Sequence, residues 1–202
     1  SGIIKPGVPV VTVPQAPEAN EVITGRSKAV GAELVLAEAD TVAASGLEGV
    51  LRWDDDKPSI ECTARLSITN GLPFSLPLLG EHQFINAGAA LRTVELLAKE
   101  GIDIDSGAIR RGLEGCRWPC RMDVLQRSPL VVADGAHTGQ SSAYLVRALR
   151  ELFGVESAGI VFGALADKPH LEIFRALKPV TKKAYVCSSS HPRSATSEYI
   201  LT

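Results

Sequence analysis

The residues best suited to chemistry form the stretch Asp134-Gly135-Ala136-His137, which lies between an apolar run and an amphipathic run. Residues 130–133 predict a buried strand, and residues 140–153 predict a helix. In a parallel sheet, ligands bind where strands end and helices begin, and the N–H groups of a helix N-terminus attract anions. A carboxylate at a strand tip can accept hydrogen bonds from ribose hydroxyls. The stretch therefore predicts a nucleotide-binding edge.

The same residue types also have a purely structural interpretation. Asp and Thr are common where a strand becomes a helix, because their side chains cap free N–H groups. Two further candidates have both a functional and a structural interpretation. Asn86 is also consistent with an ordinary helix residue, and Arg121 with a surface arginine. On residue chemistry alone, both interpretations stand for Asn86, Arg121, Asp134 and His137.

Hydrophobic patterning predicts the elements that position these residues. A strand, a helix and a strand at residues 8–13, 17–30 and 34–37 predict a parallel β-α-β unit. Residues 47–79 alternate in short pieces around Asn70-Gly71, which favours an antiparallel hairpin. A helix that ends at Gly101 and a second one at residues 106–113 follow.

The remaining chain alternates between strands and helices. Strands at residues 130–133, 159–163 and 183–188, separated by helices at 140–153 and 170–177, predict three parallel strands with right-handed crossovers. Pro119 and the mixed polarity of residues 115–129 indicate a connection between domains. The predicted class is α/β, with one domain at residues 1–121 and a second at residues 122–202.

The composition of the chain argues against some classes of binding partner. The chain has 202 residues, 45% of them hydrophobic, with 21 basic and 23 acidic residues and no Lys/Arg block, which argues against nucleic acid as a partner. No apolar run approaches the roughly 20 residues that a membrane span needs. The cysteines, Cys62, Cys116, Cys120 and Cys187, form no C-x-x-C and are predicted to be reduced thiols that bind no metal. The predicted compartment is the cytoplasm, with an organellar form left open.

Several active-site motifs are missing from the sequence. It contains no G-x-S-x-G, no H-E-x-x-H and no Gly-Lys dipeptide, so a nucleophile elbow, a zinc protease site and a P-loop are excluded within these residues. A dinucleotide-binding oxidoreductase is disfavoured too, because no G-x-G-x-x-G follows a predicted strand.

Six segments, taken in order, resemble the folylpolyglutamate synthase and dihydrofolate synthase family of the Mur ligase superfamily. They are "GIIKPGVPVVTVPQAPEA", "LPLLGEHQFINAGAAL", "GLEGCRWPCRMDVL", "VVADGAHTGQSSAYL", "VFGALADKPH" and "HPRSAT". The resemblance implies the end of a central Mur-ligase-type parallel-sheet domain followed by a Rossmann-like C-terminal domain. It also implies an ATP-dependent ligase in which a carboxylate of dihydropteroate or a folate is phosphorylated and the acyl phosphate is attacked by the amine of glutamate.

The resemblance also implies roles for individual residues. Asn86, Arg121 and Asp134 match family positions that contact ATP, and His137 matches a position near the phosphate or the incoming glutamate. No residue of this chain is assigned as catalytic or as a metal ligand, since the family's P-loop and Mg²⁺ ligands are expected before Ser1. ATP and Mg²⁺ are therefore expected in a complete, monomeric enzyme, and the chain alone is expected not to catalyse ligation.

Two residues depart from the family pattern. Cys120 stands where the W-P-G-R segment usually has glycine, and its side chain could crowd Arg121 if the backbone there needs glycine's freedom. Thr138 stands where asparagine usually follows D-G-A-H, and threonine can still cap a helix. A non-catalytic Mur-ligase-like module that binds proteins is the alternative function, and a P-loop upstream of Ser1 would argue against it.

Overall fold

The computed structural model describes residues 2–38, 40–44 and 51–201. The chain separates into two compact units, Ser1–Arg117 and Trp118–Thr202. The predicted boundary between residues 121 and 122 stays a prediction about the parent protein's domains.

The first unit begins with the expected β-α-β arrangement. Strands β1 (Val10–Thr12) and β2 (Leu34–Leu36) pair in parallel, with helix α1 (Pro17–Ala29) between them. Pro17 suits the first turn of α1 because proline's missing N–H has no helical partner there. The acidic Glu18 in that turn also complements the helix dipole.

An antiparallel sheet follows, centred on one long strand. Strand β5 (Lys57–Ala64) pairs with β3 (Val42–Ala44), β4 (Leu51–Asp54) and β6 (Pro73–Leu76), each in antiparallel orientation. Alternate β5 residues are buried, as expected for a strand with one face on a core. The predicted antiparallel region is confirmed for residues 51–79, whereas residues 47–50 lie outside the described residues.

Two sharp turns shape this sheet. Leu72 N–H donates to Thr69 O at 3.0 Å around Asn70-Gly71, whose φ angles of 45° and 74° are both positive. That turn joins β5 to β6 within a longer connection, residues 65–72. The tight two-residue hairpin lies instead between β4 and β5, with Asp55 at φ 50°. Sequence patterning missed it, although Asp tolerates this left-handed conformation.

Two helices complete the first unit. Helix α2 (Glu81–Lys99) buries Gln83, Ala87, Gly88 and Leu91 on one face. Helix α3 (Ser106–Glu114) begins at Asp105, whose Oδ1 accepts a hydrogen bond from Ala108 N–H at 2.6 Å. Both predicted helices are confirmed, with ends one residue or so from the expected positions.

The described residues of the second unit form two separate pairs of strands. Strand β7 (Asp123–Gln126) pairs with β8 (Val131–Ala133) in antiparallel orientation, and β9 (Ala158–Phe162) pairs with β10 (Thr181–Val186) in parallel. The prediction of three parallel strands was wrong, because β8 takes its hydrogen bonds from β7 among the described residues. A four-residue connection makes this local pairing inexpensive in chain entropy.

Helices pack against the β9–β10 pair and form the core of the second unit. Helix α4 (Gly139–Phe153), helix α5 (His170–Leu177) and helix α6 (Ser197–Leu201) supply apolar residues to one cluster. Its buried members are Val146, Phe162, Ile173, Leu177, Val180, Ala195 and Ile200. This packing holds α4 in place, including its first turn, which directly follows the Asp134 stretch.

Candidate functional site

Two loops of the second unit meet at one end of the β7–β8 hairpin. Asp123 and Ala133 are partners in that hairpin, so the residues before β7 and those after β8 lie at the same end. Gly135 N–H donates to Cys120 O at 2.7 Å, and Met122 N–H donates to Asp134 Oδ2 at 2.7 Å. The structure therefore brings the chain on both sides of Arg121 against the Asp134 stretch.

Asp134 uses both carboxylate oxygens on the main chain. Besides the bond from Met122, its Oδ1 accepts a hydrogen bond from Ala136 N–H at 2.8 Å. The side chain is half-buried in these contacts. Hydrogen bonds to an ionised acceptor are stronger than neutral ones, so Asp134 holds both loops together.

Arg121 is exposed and lies between two residues with unusual backbones. Cys120 has φ 58° and Met122 has φ 46°, both in the left-handed region that favours glycine. The Arg121 guanidinium carbon lies 5.9 Å from the ring centre of Trp118, within cation–π range. The backbone at position 120 thus adopts a conformation in which the family's usual glycine is least strained.

His137 and Thr138 occupy the start of α4. His137 Nδ1 lies 2.9 Å from Gly135 O, and because a carbonyl only accepts, Nδ1 is the donor in that contact. Thr138 Oγ1 accepts from Ser141 N–H at 3.1 Å, and Ser141 Oγ accepts from Thr138 N–H at 3.0 Å. This capping box confirms that Thr138 still caps the helix.

Asn86 belongs to the first unit, whereas Arg121, Asp134 and His137 belong to the second. Its side chain lies near the start of α2, where Nδ2 donates to Gln83 Oε1 at 2.9 Å. Gln83 is buried, and its Nε2 lies 3.0 Å from His82 Nε2. The Gln83 contact was not anticipated from the sequence, although the H-Q-x-x-N spacing places Gln83 and Asn86 one helical turn apart.

Two more of the quoted segments include the loops that follow β9 and β10, and backbone hydrogen bonds join these loops. Ala195 N–H donates to Ala164 O, and Ala166 N–H donates to Arg193 O, both at 2.9 Å. Just before this loop, Gly163 lies close to the residue that follows β10, because a Cβ at Gly163 would lie 3.0 Å from Cys187 O. The sequence predicted no function for residues in these loops and gave no signal for their pairing.

The thiols and acidic groups form no metal site among the described residues, which contain no group of three or more His, Cys, Asp or Glu side chains able to hold a metal ion. The four cysteines are free, and burial raises the pKa of the Cys62 thiol to about 12. None of the helices within the described ranges combines the length and apolar character that a membrane crossing requires.

Residues 120–202 match the protein family described as "Mur ligase, glutamate ligase domain". These residues are a Mur ligase C-terminal domain. The Mur ligase resemblance derived from the six segments is thereby confirmed, as is the α/β fold class. The assignments of Asn86, Arg121, Asp134 and His137 stay predictions.

Similarity extends beyond the Mur ligase domain. The chain is 29% identical to the dihydrofolate synthase/folylpolyglutamate synthase of Bacillus subtilis, over 96% of this chain and 44% of that protein. It is 29% identical to the folylpolyglutamate synthase of Lacticaseibacillus casei, over 92% and 42%. A structure of Mycobacterium tuberculosis folylpolyglutamate synthase, complexed with ADP and AMPPCP, superposes with a TM-score of 0.75 at 26% identity, over 98% and 43%. The chain thus spans less than half the length of these relatives.

Proposed function

We propose that the chain is part of an ATP-dependent ligase that joins L-glutamate to dihydropteroate or a (poly)glutamyl folate, and that it supplies one wall of the ATP site. Similarity to folylpolyglutamate and dihydrofolate synthases along 96% of the chain supports the ligase class. The observation that supports the ATP site is the pair of joined loops, which holds the backbone on both sides of the exposed Arg121 against Asp134 and Gly135.

The proposed ligation has two chemical steps. A carboxylate oxygen of the pteroate or folate attacks the γ-phosphorus of ATP, ADP leaves, and an acyl phosphate forms. The amine nitrogen of glutamate then attacks the acyl carbon, inorganic phosphate leaves, and the nitrogen loses a proton as the amide forms. Both steps bring anionic groups together, so they need fixed positive charge and alignment.

The residues of this chain meet part of that need. A guanidinium binds phosphate oxygens through paired N–H donors, so Arg121 is proposed to contact the ATP phosphates. Asn86 and Asp134 are each proposed, from the family resemblance, to contribute to nucleotide binding. His137 is proposed to lie beside the phosphate or the incoming glutamate, with Nε2 as its available ring nitrogen because Nδ1 contacts Gly135 O.

Magnesium would screen the phosphate charges in the complete enzyme. The described residues contain no group of three or more His, Cys, Asp or Glu side chains that could hold a metal ion, and neither step is assigned to a metal held by them. The ligands for Mg²⁺ and the P-loop are expected in a part of the enzyme that this sequence does not contain.

Calorimetric titration of the chain with AMPPCP tests the proposed ATP wall. Arg121→Ala is expected to weaken affinity by about ten- to a hundredfold, because a charged hydrogen bond contributes about 1.5–3 kcal/mol and 1.4 kcal/mol is a factor of about ten. The exposed Arg175 on α5 gives a matched control, Arg175→Ala, which is expected to bind like the unchanged chain. Equal affinity of the Arg121 variant and the unchanged chain would refute the assignment. A complete lack of binding would favour the non-catalytic module.

A ligase assay tests whether this chain alone catalyses the ligation. Purified chain is incubated with ATP, L-glutamate and either dihydropteroate or a folate, and new glutamyl products are measured. Because the chain is proposed to supply only one wall of the site, no product is expected. Product formation without another chain would show that these residues hold the whole catalytic machinery.

A further inference from the structure

The turn at Asn70-Gly71 in the first unit carries chemistry that the proposed ATP site does not use. Both residues are exposed, whereas Thr69 directly before them is buried. An asparagine followed by glycine is chemically labile in water, because the main-chain nitrogen of the glycine can attack the carboxamide carbon of the asparagine. Glycine favours this attack because it has no Cβ to hinder the approach. The contacts of each such pair then decide whether the attack can occur.

The two reacting groups make no hydrogen bonds within the part of the chain that the structure describes. Neither the Asn70 carboxamide nor the Gly71 N–H has a partner there. A Cβ at Gly71 would meet no heavy atom within 4 Å, so the space around this residue is open. Gly71, at φ 74°, also has the backbone freedom that lets the peptide plane turn towards the carboxamide. Neither group therefore has to give up a hydrogen bond to a described residue before the two can react.

The other two asparagines of the chain are held in helices. Asn20 lies in α1 and Asn86 in α2, where the N–H of the following residue is part of the helical hydrogen-bond ladder. The Asn86 carboxamide also donates to Gln83 Oε1 at 2.9 Å. At both positions the helix has to open before the following nitrogen can attack. The surroundings thus distinguish Asn70 from the other asparagines.

We propose that Asn70 is a site of spontaneous deamidation, with water as the second reactant. The Gly71 nitrogen forms a bond to Asn70 Cγ, the bond between Cγ and Nδ2 breaks, and ammonia leaves with the proton of the Gly71 N–H. Water then opens the resulting succinimide. Addition of water at Cγ gives aspartate, and addition at the main-chain carbonyl carbon gives isoaspartate, in which the main chain runs through the side chain. This modification is independent of the proposed binding of ATP.

Isoaspartate would lengthen the main chain between two anchored residues. On one side, Thr69 Oγ1 donates to Leu66 O at 2.7 Å, and on the other, Leu72 O accepts from Ala64 N–H at 2.9 Å. An additional main-chain carbon between these anchors disturbs the hydrogen bond from Leu72 N–H to Thr69 O that closes the turn. Deamidation is therefore expected to weaken the pairing of β6 with β5 and to lower the stability of the first unit.

Incubation of the folded 202-residue chain at mildly alkaline pH, followed by peptide mass mapping, tests the proposed site. Deamidation at Asn70 is expected to be at least about tenfold faster than at Asn20 or Asn86, since about 1.4 kcal/mol of helix opening slows the reaction about tenfold. Equal rates at the three asparagines would overturn the proposal. An Asn70 that stays intact in the folded chain, while the same chain unfolded in urea is deamidated there, would overturn it as well.

A matched variant separates the effect of the structure from that of the dipeptide. Glu21→Gly creates a second Asn-Gly pair at Asn20, but inside helix α1. Asn20 is expected to stay intact in this variant while Asn70 reacts as before, and circular dichroism checks that the helix content is kept. Deamidation of Asn20 as fast as that of Asn70 in the folded variant would show that the exposed turn has no part in the reaction.

The stability of the modified chain tests the consequence for β6. The deamidated chain, separated by ion-exchange chromatography, is expected to unfold at a lower urea concentration than the unchanged chain. Asn70→Asp, which introduces the charge but not the additional main-chain carbon, is the control and is expected to unfold between the two. A deamidated chain as stable as the unchanged chain would contradict the expected effect on β6.

Discussion

The side-chain amide of Asn86 donates a hydrogen bond to the carboxamide oxygen of Gln83, one helical turn earlier, at 2.9 Å. Gln83 is 2% exposed, and its own amide nitrogen lies 3.0 Å from His82 Nε2. A buried residue therefore links two more accessible polar side chains at the start of α2. The exposed Asn86, which sequence resemblance assigns to nucleotide contact, has its amide orientation set by Gln83.

Replacement of Gln83 by leucine is expected to lower the free energy of unfolding by about 1–3 kcal/mol, because it removes both side-chain contacts and leaves polar neighbours without them. Urea denaturation followed by circular dichroism measures the change. Ala90→Ser, at an exposed position on the same helix, is the control and should stay within about 0.5 kcal/mol. Equal losses of unfolding free energy in the two variants would show that the Gln83 contacts contribute nothing to stability.

Cys120→Gly is expected to raise the free energy of unfolding by about 0.5–1 kcal/mol, because φ 58° strains a residue with a Cβ. Cys116→Gly, at a nearby position without a positive φ, should instead lower stability, since glycine gains more entropy on unfolding. Thermal unfolding of the two variants compares them directly. A lower stability for Cys120→Gly would contradict the strain at this position.

Gly163→Ala is expected to destabilise the second unit by about 1–3 kcal/mol, because the new Cβ would meet Cys187 O at 3.0 Å and Sγ at 3.2 Å. Gly159 lies within β9, whereas Gly163 directly follows that strand, and a Cβ at Gly159 meets nothing within 4 Å. Gly159→Ala should therefore leave stability unchanged or slightly higher. Similar melting temperatures for the two variants would refute the close approach of β9 and β10 at Gly163.

Thr138→Ala is expected to cost about 1 kcal/mol of stability, because it removes the cap that accepts from Ser141 N–H. Thr138→Asn should retain the stability of the unchanged chain, since asparagine is an equally good cap. Denaturant titrations of both variants supply the comparison. A loss of the same size in the asparagine variant would mean that the threonine methyl group, not the cap, stabilises the start of α4.

Cys62 is expected to resist thiol reagents at pH 8 while the exposed Cys120 and Cys187 react. Burial, with a smaller contribution from the charge of Glu61, raises the pKa of Cys62 from 9.0 to about 12. The unfolded thiol ionises above about pH 9, so the stability that the neutral buried thiol contributes below pH 9 is lost as the pH rises towards 12. Mass spectrometry after brief labelling identifies the modified residues, and early labelling of Cys62 in the folded chain would contradict its burial.

Most helices could be predicted from sequence because their signals are local. Pro17 at the start of α1, the apolar stripe of α4 and the Thr138 cap all lie within single helices or directly beside them. The order of the six segments likewise identified the family, since it needs no knowledge of contacts. The helix signals each depend on a few neighbouring residues, so they can be recognised in the sequence without knowledge of the tertiary structure.

Only the tertiary structure decided which distant groups bind one another. Strand β8 pairs with β7 instead of joining β9 and β10, and the Asp134 carboxylate accepts a hydrogen bond from the backbone N–H of Met122. A sequence pattern marks a strand as apolar or a carboxylate as polar, yet it does not specify the partner of either. Hydrogen-bond partners far apart in the chain are selected by the packing of the whole unit, because most buried polar groups must be satisfied at once.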